Sequence, residues 1–148
     1  VCETVACSEE KIWKSGDSVY VLPCNSHEFN ELNGILRIVK AGTQVFNVRG
    51  KDHIPSHELA LSALLRDDAY PVTDVNIETA LASMKRDSLA LSLAGRGWNL
   101  LSYRNIPTGF VNNLGTRLNN YFPVDWRIRM SLPGRKDFNI IRWDGEEE

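Results

Sequence analysis

The pattern of apolar and polar positions predicts short strands and helices, with a division at Asp67-Asp68. Before that division, stretches rich in β-branched and aromatic residues predict strands, and apolar residues at helical spacing predict helices. The predicted strands are 18–22, 35–39 and 43–49, and the predicted helices are 26–32 and 55–65. Ser26 is the expected N-cap of the first helix, and Gly34 is its expected end. Ala41-Gly42 should join the last two strands as a hairpin.

After the division, a helix is predicted over residues 77–85, because apolar residues recur there at i, i+3, i+4 and i+7. Asp74 or Asn76 should cap it. The predicted strands are 98–103, 107–113, 126–130 and 138–143, with a tight turn at 104–105, and residues 89–93 form a strand or a loop edge. The pattern therefore predicts an α+β chain, with a small mixed α/β subdomain over residues 1–68 and a small β-barrel with a flanking helix over residues 69–148.

A polar run lies between two apolar anchors, Phe110 and Trp126. Asn and Arg are costly to order unless they form hydrogen bonds, so a rigid frame here would present them to a ligand. Arg offers paired donors to phosphate, Asn offers a donor and an acceptor to a base edge or a 2′-hydroxyl, and Tyr can stack on an unpaired base. The candidate RNA-binding residues are Arg104, Asn112, Asn113, Arg117, Asn119, Asn120, Tyr121, Arg127 and Arg129.

Three of these candidates have a structural alternative. Asn119 and Asn120 could hydrogen-bond the backbone of their own loop, as Asn often does in turns. Tyr121 could pack against the body of the domain rather than stack on a base.

The charge of the chain is unevenly distributed. Between residues 96 and 143, eight Arg or Lys residues stand against two Asp residues, whereas the rest of the chain holds nine Arg or Lys and seventeen Asp or Glu. A basic stretch on an acidic body favours a polyanionic partner, and the alternative is a solvated spread of Arg without a partner. The composition is that of a soluble globular protein, without an apolar run long enough to span a membrane. The first residue is Val1 rather than Met, so we expect a fragment.

Four motifs of the second part and one of the first resemble a known family. They are Gly97-Trp98, the run PTGF at 107–110, the run GTRLNNYFP at 115–123, Arg127, and the run PSHELAL at 55–61. Together they resemble the C-terminal RNA-binding module of the Sun family of rRNA cytosine-C5 methyltransferases, in its bacterial RsmF-like branch. Two positions depart from that pattern: Phe110 stands where Trp is usual, and Asn113 stands near a usual Lys.

This resemblance implies that the barrel is PUA-like and that the chain is an accessory region, not itself an enzyme. The region would bind rRNA as a cytoplasmic monomer and orient it for an N-terminal methyltransferase domain, its protein partner. That domain would hold S-adenosylmethionine and the catalytic cysteines, so this chain itself needs no cofactor. The alternative is a protein-docking module that packs on the methyltransferase domain or on a ribosomal protein. It predicts exposed apolar residues on the acidic first subdomain and no affinity for RNA.

Other chemistry-bearing residues have simpler explanations. Cys24 follows Pro23 and precedes a predicted helix, and with His27 it could form a cysteine hydrolase centre inside a cleft. However, its flanks do not match the Asp-x-Pro-Cys-Ser-Gly loop of the methyltransferase family, so a structural cysteine is expected. Cys2 and Cys7 have spacing unlike that of zinc ligands, so no metal is expected. His57 should cap or pack, and the loop at 49–53 either contacts phosphate or is solvated.

Overall fold

The computed structural model describes residues 3–93 and 95–131, which form two four-stranded sheets. The strands are β1 (Ile12–Ser15), β2 (Ser18–Val21), β3 (Thr43–Arg49), β4 (Asp52–Pro55), β5 (Val72–Asp74), β6 (Gly97–Tyr103), β7 (Ile106–Asn113) and β8 (Leu118–Asn120). The helices are α1 (Ser26–Ile35), α2 (His57–Ala60) and α3 (Ile77–Lys85), preceded by a short 3₁₀ helix at Glu9–Lys11.

The first sheet is an antiparallel meander in the order β1-β2-β3-β4. Its β-branched residues on β2 and β3 point inward, and Val19 and Val45 are almost completely buried. Gly42 precedes β3 at a φ of +58°, and a Cβ atom there would collide with the carbonyl oxygen of Val21. The chain can therefore enter β3 only through a residue without a side chain.

The second sheet has the order β5-β6-β7-β8, and its two central strands are covered on both faces. Leu100 of β6 and Phe110 of β7 pack into the core of the first sheet, together with Leu59 of α2. Their neighbours Leu101 and Val111 face the other way and pack against α3. Since successive side chains of a strand point to opposite faces, this hairpin joins both layers of the molecule.

The structure confirms the predicted strands at β2 and β3 but corrects their surroundings. Asn25 rather than Ser26 caps α1, accepting a hydrogen bond from the backbone N–H of Glu28 at 2.8 Å. The helix runs through Gly34 to Ile35, because one glycine costs a helix only about 1 kcal/mol. The predicted strand at 35–39 is therefore wrong.

Two consequences follow for the elements next to β3. Its hairpin partner is β4, and Pro55 ends that strand opposite Phe46 instead of starting a helix. The predicted helix at 55–65 is thus reduced to the single turn of α2, whose N-cap is Ser56. The contacts of α2 with β3 and β7 stabilise this single turn. Helix propensity acts locally and does not indicate such tertiary contacts.

In the second part, α3 has the predicted bounds, and the Asn76 side chain caps it by accepting from the Thr79 N–H at 2.8 Å. Strands β6 and β7 and their tight turn are also confirmed. Arg104 and Asn105 in that turn have φ values of 51° and 62°, as a two-residue hairpin turn with positive φ at both positions requires.

The other predictions for the second part are corrected or lie outside the described residues. Residues 126–130 do not form a strand, because a turn at 124–126 interrupts the chain. The segment 89–93 is a loop whose leucines pack against the buried cluster that contains Leu101 and Val111. The pattern did not predict three short strands: β8, which lies in the polar run, and β1 and β5. The predicted strand at 138–143 lies outside the described residues.

The fold is a mixture of helix and sheet, as predicted, but the described residues do not form a closed barrel. Within them β8 pairs only with β7, and the sheet ends there. The division at residue 68 stays a prediction, although one buried cluster draws residues from both sides of it. Among the residues described, none of the helices has the length and apolarity needed to cross a membrane.

We expect Phe110→Ala to lower the free energy of unfolding by about 3–5 kcal/mol, because its 2% exposed ring leaves a cavity in the core that both sheets share. Val39→Ala, at a position that is 93% exposed, should change it by less than about 0.5 kcal/mol. Chemical denaturation of both variants provides the measurement. Two separate unfolding transitions in the wild type would contradict the shared core.

Candidate nucleic-acid interface

Two asparagines of the polar run lie side by side on the second sheet. Asn112 of β7 is directly opposite Trp98 on β6 and Asn119 on β8. Directly opposed residues project from the same face of a sheet. Trp98, Asn112 and Asn119 therefore form one row across three strands, half-buried at the end of the face whose middle packs on the first sheet.

The four asparagines of the interface divide into two pairs. Asn113 donates to the carbonyl oxygen of Gly95 at 2.7 Å and accepts from the N–H of Gly115 at 2.8 Å. Asn120 donates to the carbonyl oxygen of Ser83 at 2.7 Å and accepts from the N–H of Phe122 at 2.9 Å. These two amides therefore stabilise the fold, because both ends of each amide are hydrogen-bonded to the backbone.

The amides of Asn112 and Asn119 differ from that pair, because their side chains form no hydrogen bond with any described residue. The sequence alternative of local hydrogen bonding thus applies to Asn120 and, within the described residues, not to Asn119. Each free amide keeps one acceptor and two donors for a ligand.

The turn between β7 and β8 carries one arginine and is contacted by another that is distant in the sequence. Arg117 is exposed in this turn, and its carbonyl oxygen accepts from Leu114 N–H at 3.0 Å. Arg96, just before β6, lies against Gly115 of the same turn; a Cβ atom there would be 2.8 Å from Nε of Arg96. The sequence analysis did not select Arg96, although its position before the Gly97-Trp98 motif was a usable signal.

A hollow of about 620 Å³ opens between the C-terminal end of α3 and β8. It is lined by Arg86, Asp87 and Ser88 after α3 and by residues 118–123. Arg86 ends the helix in the left-handed conformation and donates from its guanidinium to the carbonyl oxygen of Phe122 at 2.6 Å. Arg86 is a second residue that sequence reasoning missed, because its role depends on a contact across 36 residues.

Tyr121 is one of the residues that line this hollow, and its ring contacts another aromatic side chain. Its ring packs against Trp98 with centroids 4.5 Å apart and planes at 66°, while 36% of the residue stays exposed. The residue thus packs on Trp98 and still presents surface, and stacking of a base on Tyr121 stays a prediction.

The remaining candidates are spread more widely. Arg104 lies in the β6–β7 turn, at the opposite end of the hairpin from Arg96 and Arg117, where its guanidinium stacks over Tyr103 at 5.5 Å. Seven strand residues at about 3.3 Å each separate the two ends. Arg127 and Arg129 are exposed beyond the hollow, on a segment tied to α3 by a hydrogen bond from Ile128 N–H to the Met84 carbonyl oxygen.

His57 joins the first part of the chain to this region. Its ring packs edge-on against Phe122 and Trp126, with centroid distances of 4.7 and 5.4 Å. Gly109 leaves room for it, because a Cβ atom there would lie 3.2 Å from Nδ1. Nδ1 is buried and has no hydrogen-bond partner among the described residues, and burial lowers the pKa of His57. His57 therefore packs, as the sequence indicated.

The alternative chemical centres lack the contacts they would need. His27 lies 3.9 Å from the Glu31 carboxylate, and within the described residues no hydrogen bond joins it to Cys24. Those residues also contain no group of three metal-ligating side chains, while Cys2 lies outside them. The loop at 49–53 is the tip of the β3–β4 hairpin, and its contact with phosphate stays a prediction.

We expect the stability of the protein to depend on pH through His57. The pKa of His57 in the folded protein lies below the ordinary value of 6.5. Between these two pKa values, His57 is protonated in the unfolded chain but not in the folded chain. Stability should therefore be full above pH 6.5 and fall as the pH drops from there toward the folded pKa. Melting temperatures between about pH 7.5 and about pH 5.5 should show this loss. His57→Phe should reduce this pH dependence, and an unchanged dependence in that variant would assign it to other groups.

The two classes of asparagine should respond differently to truncation. Asn120→Ala removes two hydrogen bonds of the frame, so we expect it to lower the free energy of unfolding by about 1–3 kcal/mol. Asn119→Ala should change it by less than about 0.5 kcal/mol, because the amide has no described partner. Thermal denaturation of the two variants measures this difference, and equal losses would show that Asn119 also holds the fold.

Comparison with known proteins is consistent with this geometry. Residues 70–128 match the family described as the methyltransferase RsmF PUA domain, which covers α3, the second sheet and the hollow. No curated protein matches the chain. PUA domains are non-catalytic RNA-binding modules, so the match indicates an RNA-binding accessory role. Residues 70–128 are thus similar to the RsmF PUA domain, as the resemblance of the motifs implied.

Proposed function

We propose that this chain binds rRNA as the C-terminal accessory region of an S-adenosylmethionine-dependent rRNA cytosine-C5 methyltransferase. It orients the RNA for a catalytic domain that lies outside this chain. The match to the RsmF PUA domain supports RNA as the ligand. The observation that carries the proposal is the unpaired row of Asn112 and Asn119, which lies between the arginines of the β7–β8 turn and the hollow beside α3.

The electrostatics of this surface suit a phosphate backbone. Arg96 lies against Gly115 of the β7–β8 turn that also carries Arg117, and Arg127 and Arg129 are exposed beyond the hollow. No described carboxylate lies within salt-bridge distance of these four arginines. Guanidinium groups that are not neutralised by the protein remain available for charge-assisted hydrogen bonds to phosphate. The free asparagine amides between them supply the uncharged contacts to bases and 2′-hydroxyls.

The other parts of the proposal follow from this role. The catalytic domain holds S-adenosylmethionine and the reactive cysteine, and this chain holds neither. The accessory region works as a monomer on a single RNA, packed against its own catalytic domain. The protein acts in the cytoplasm, where rRNA is available to it.

The proposal predicts that the salt dependence of RNA binding follows the arginines of one end of the sheet. Arg117→Ala and Arg96→Ala should each weaken binding to a small-subunit rRNA fragment. Each should also flatten the slope of log affinity against log salt by about 0.7–0.9, because one phosphate contact is lost. Fluorescence anisotropy at several salt concentrations provides the measurement.

Arg104→Ala is the matched control, because it removes the same charge from the opposite end of the hairpin. It should change the affinity and the slope less than the other two variants. Equal effects of all three variants would show that diffuse electrostatic attraction, rather than a local surface, binds the RNA. No binding by the wild-type protein would overturn the RNA-binding function.

One observation favours a second function, docking on the methyltransferase domain. Four large apolar residues near the end of α1 are exposed to solvent: Leu32, Ile35, Leu36 and Val39, at 46, 83, 57 and 93%. They recur at i, i+3, i+4 and i+7, although the helix ends at Ile35. A cluster of exposed apolar residues of this kind marks an interaction surface. Protein docking by the first part and RNA binding by the second are compatible.

If this apolar cluster docks on the catalytic domain, the double variant Ile35→Ser and Val39→Ser should weaken the association of this chain with the separately produced catalytic domain. Both side chains are exposed, so the melting temperature of the chain alone should stay within a few degrees. Binding to the rRNA fragment should not change. Titration calorimetry measures the association, and an unaltered affinity for the catalytic domain would remove the cluster from the interface.

A further inference from the structure

We propose that the hollow between α3 and β8 receives one unpaired nucleotide of the bound RNA. This inference rests on the proposed RNA-binding function and identifies the form of RNA that the surface selects. The volume of the hollow, about 620 Å³, falls within the range of about 300–1,000 Å³ that small-molecule sites occupy. Its lining is mostly polar, which suits a nucleotide better than the apolar side chain of a protein partner.

The walls of the hollow are held in place before any ligand arrives. Asn120 ties β8 to the last turn of α3 through its hydrogen bond to the Ser83 carbonyl oxygen. Arg86 makes a second tie from the end of α3 to the Phe122 carbonyl oxygen. Phe122 is itself buried against His57. A site fixed by three such contacts loses little conformational entropy when a ligand binds.

Tyr121 is placed between two of these anchored residues. Its neighbours Asn120 and Phe122 are held by the contacts just described, and its ring rests on Trp98. Tyr121 is 36% exposed and is one of the residues that line the hollow. A phenol ring fixed in this way is a platform for base stacking, which tolerates any of the four bases because each has a π-face.

Polar groups around this platform match the rest of a nucleotide. Asn119 is one of the lining residues, and its amide, which projects toward Trp98 and has no described partner, can bond to a base edge next to Tyr121. Arg86 uses one of its donors on Phe122, and its other donors have no partner among the described residues. The rim also carries Asp87, which lies 3.6 Å from Lys85. Lys85 reduces the repulsion between Asp87 and phosphate, and the carboxylate can accept from a base amino group.

A base that stacks on Tyr121 in the hollow has to be unpaired. In a paired A-form stem the major groove is too deep and narrow for side chains, and the bases are stacked inside. A base can enter a concave site only where it is free of its partner, in a loop, a bulge or an end. The arginines of the β7–β8 turn can then hold the flanking phosphates.

The test compares the binding of the whole chain to a synthetic RNA hairpin with an unpaired loop and to a fully paired duplex with the same stem sequence. The wild type should prefer the hairpin. Tyr121→Ala should weaken binding to the hairpin about 5- to 150-fold, the range expected for the loss of one base stack. Tyr121→Phe keeps the ring and should stay within about twofold of the wild type. Neither variant should change the affinity for the duplex.

A second readout reports the stack itself. A fluorescent adenine analogue placed in the loop should be quenched when the wild type binds, and this quenching should be lost in Tyr121→Ala and kept in Trp126→Ala. Trp126 is an exposed aromatic residue outside the lining of the hollow. If Tyr121→Ala proves unstable, Tyr121→Leu keeps apolar packing on Trp98 without an aromatic face.

The outcomes separate this inference from the function on which it rests. Equal wild-type affinity for hairpin and duplex, or full affinity of Tyr121→Leu for the hairpin, overturns the nucleotide site and leaves RNA binding intact. Absence of wild-type binding to either RNA overturns both. Preference for the hairpin, together with loss of affinity and quenching in the Tyr121 variants, supports the site.

Discussion

The burial of the β6–β7 hairpin on both faces is the constraint on which the rest of the structure depends. Phe110 packs into the core that the first sheet and α2 form, and Val111, the next residue, packs under α3. Every other element of the second sheet is positioned relative to these two strands. Because a strand alternates its side chains with a period of two, a shift by one residue would exchange the two cores. The register of this hairpin is therefore strongly specified.

The surface proposed for RNA is a consequence of that register. The core residues occupy the middle of the hairpin, and its polar end leaves Asn112 half-buried next to Trp98. Strand β8 adds Asn119 to the same row, and among residues 3–93 and 95–131 nothing pairs with the other side of its backbone at the sheet edge. An open edge invites pairing with other chains unless it is short or covered. Here the strand has three residues, and the end of α3 lies beside it.

Neighbouring asparagines illustrate how function and stability are divided within one motif. Asn120 has both ends of its amide in hydrogen bonds with the frame, whereas Asn119 has neither among the described residues. They differ in side-chain direction, since one projects toward the row with Trp98 and the other toward α3. The same residue type therefore serves the fold at one position and remains available to a ligand at the next. The aromatic contacts of His57 link this motif to the run PSHELAL, where sequence gave only an expectation of packing.

The sequence by itself determined the elements whose signals are local. The amphipathic pattern with a cap at Asp74 or Asn76 defined α3, and the turn at Arg104-Asn105 between apolar runs defined β6 and β7, because caps, turns and periodicity act within a few residues. It also identified the motifs of the family and the polar run. Tertiary structure decided which strands pair, why Pro55 ends a strand, and that Arg96 and Arg86 join residues far along the chain. Arg86 and Phe122, for example, are 36 residues apart in the sequence. No local pattern encodes such a distance, since the partner is chosen by the packing of the whole core.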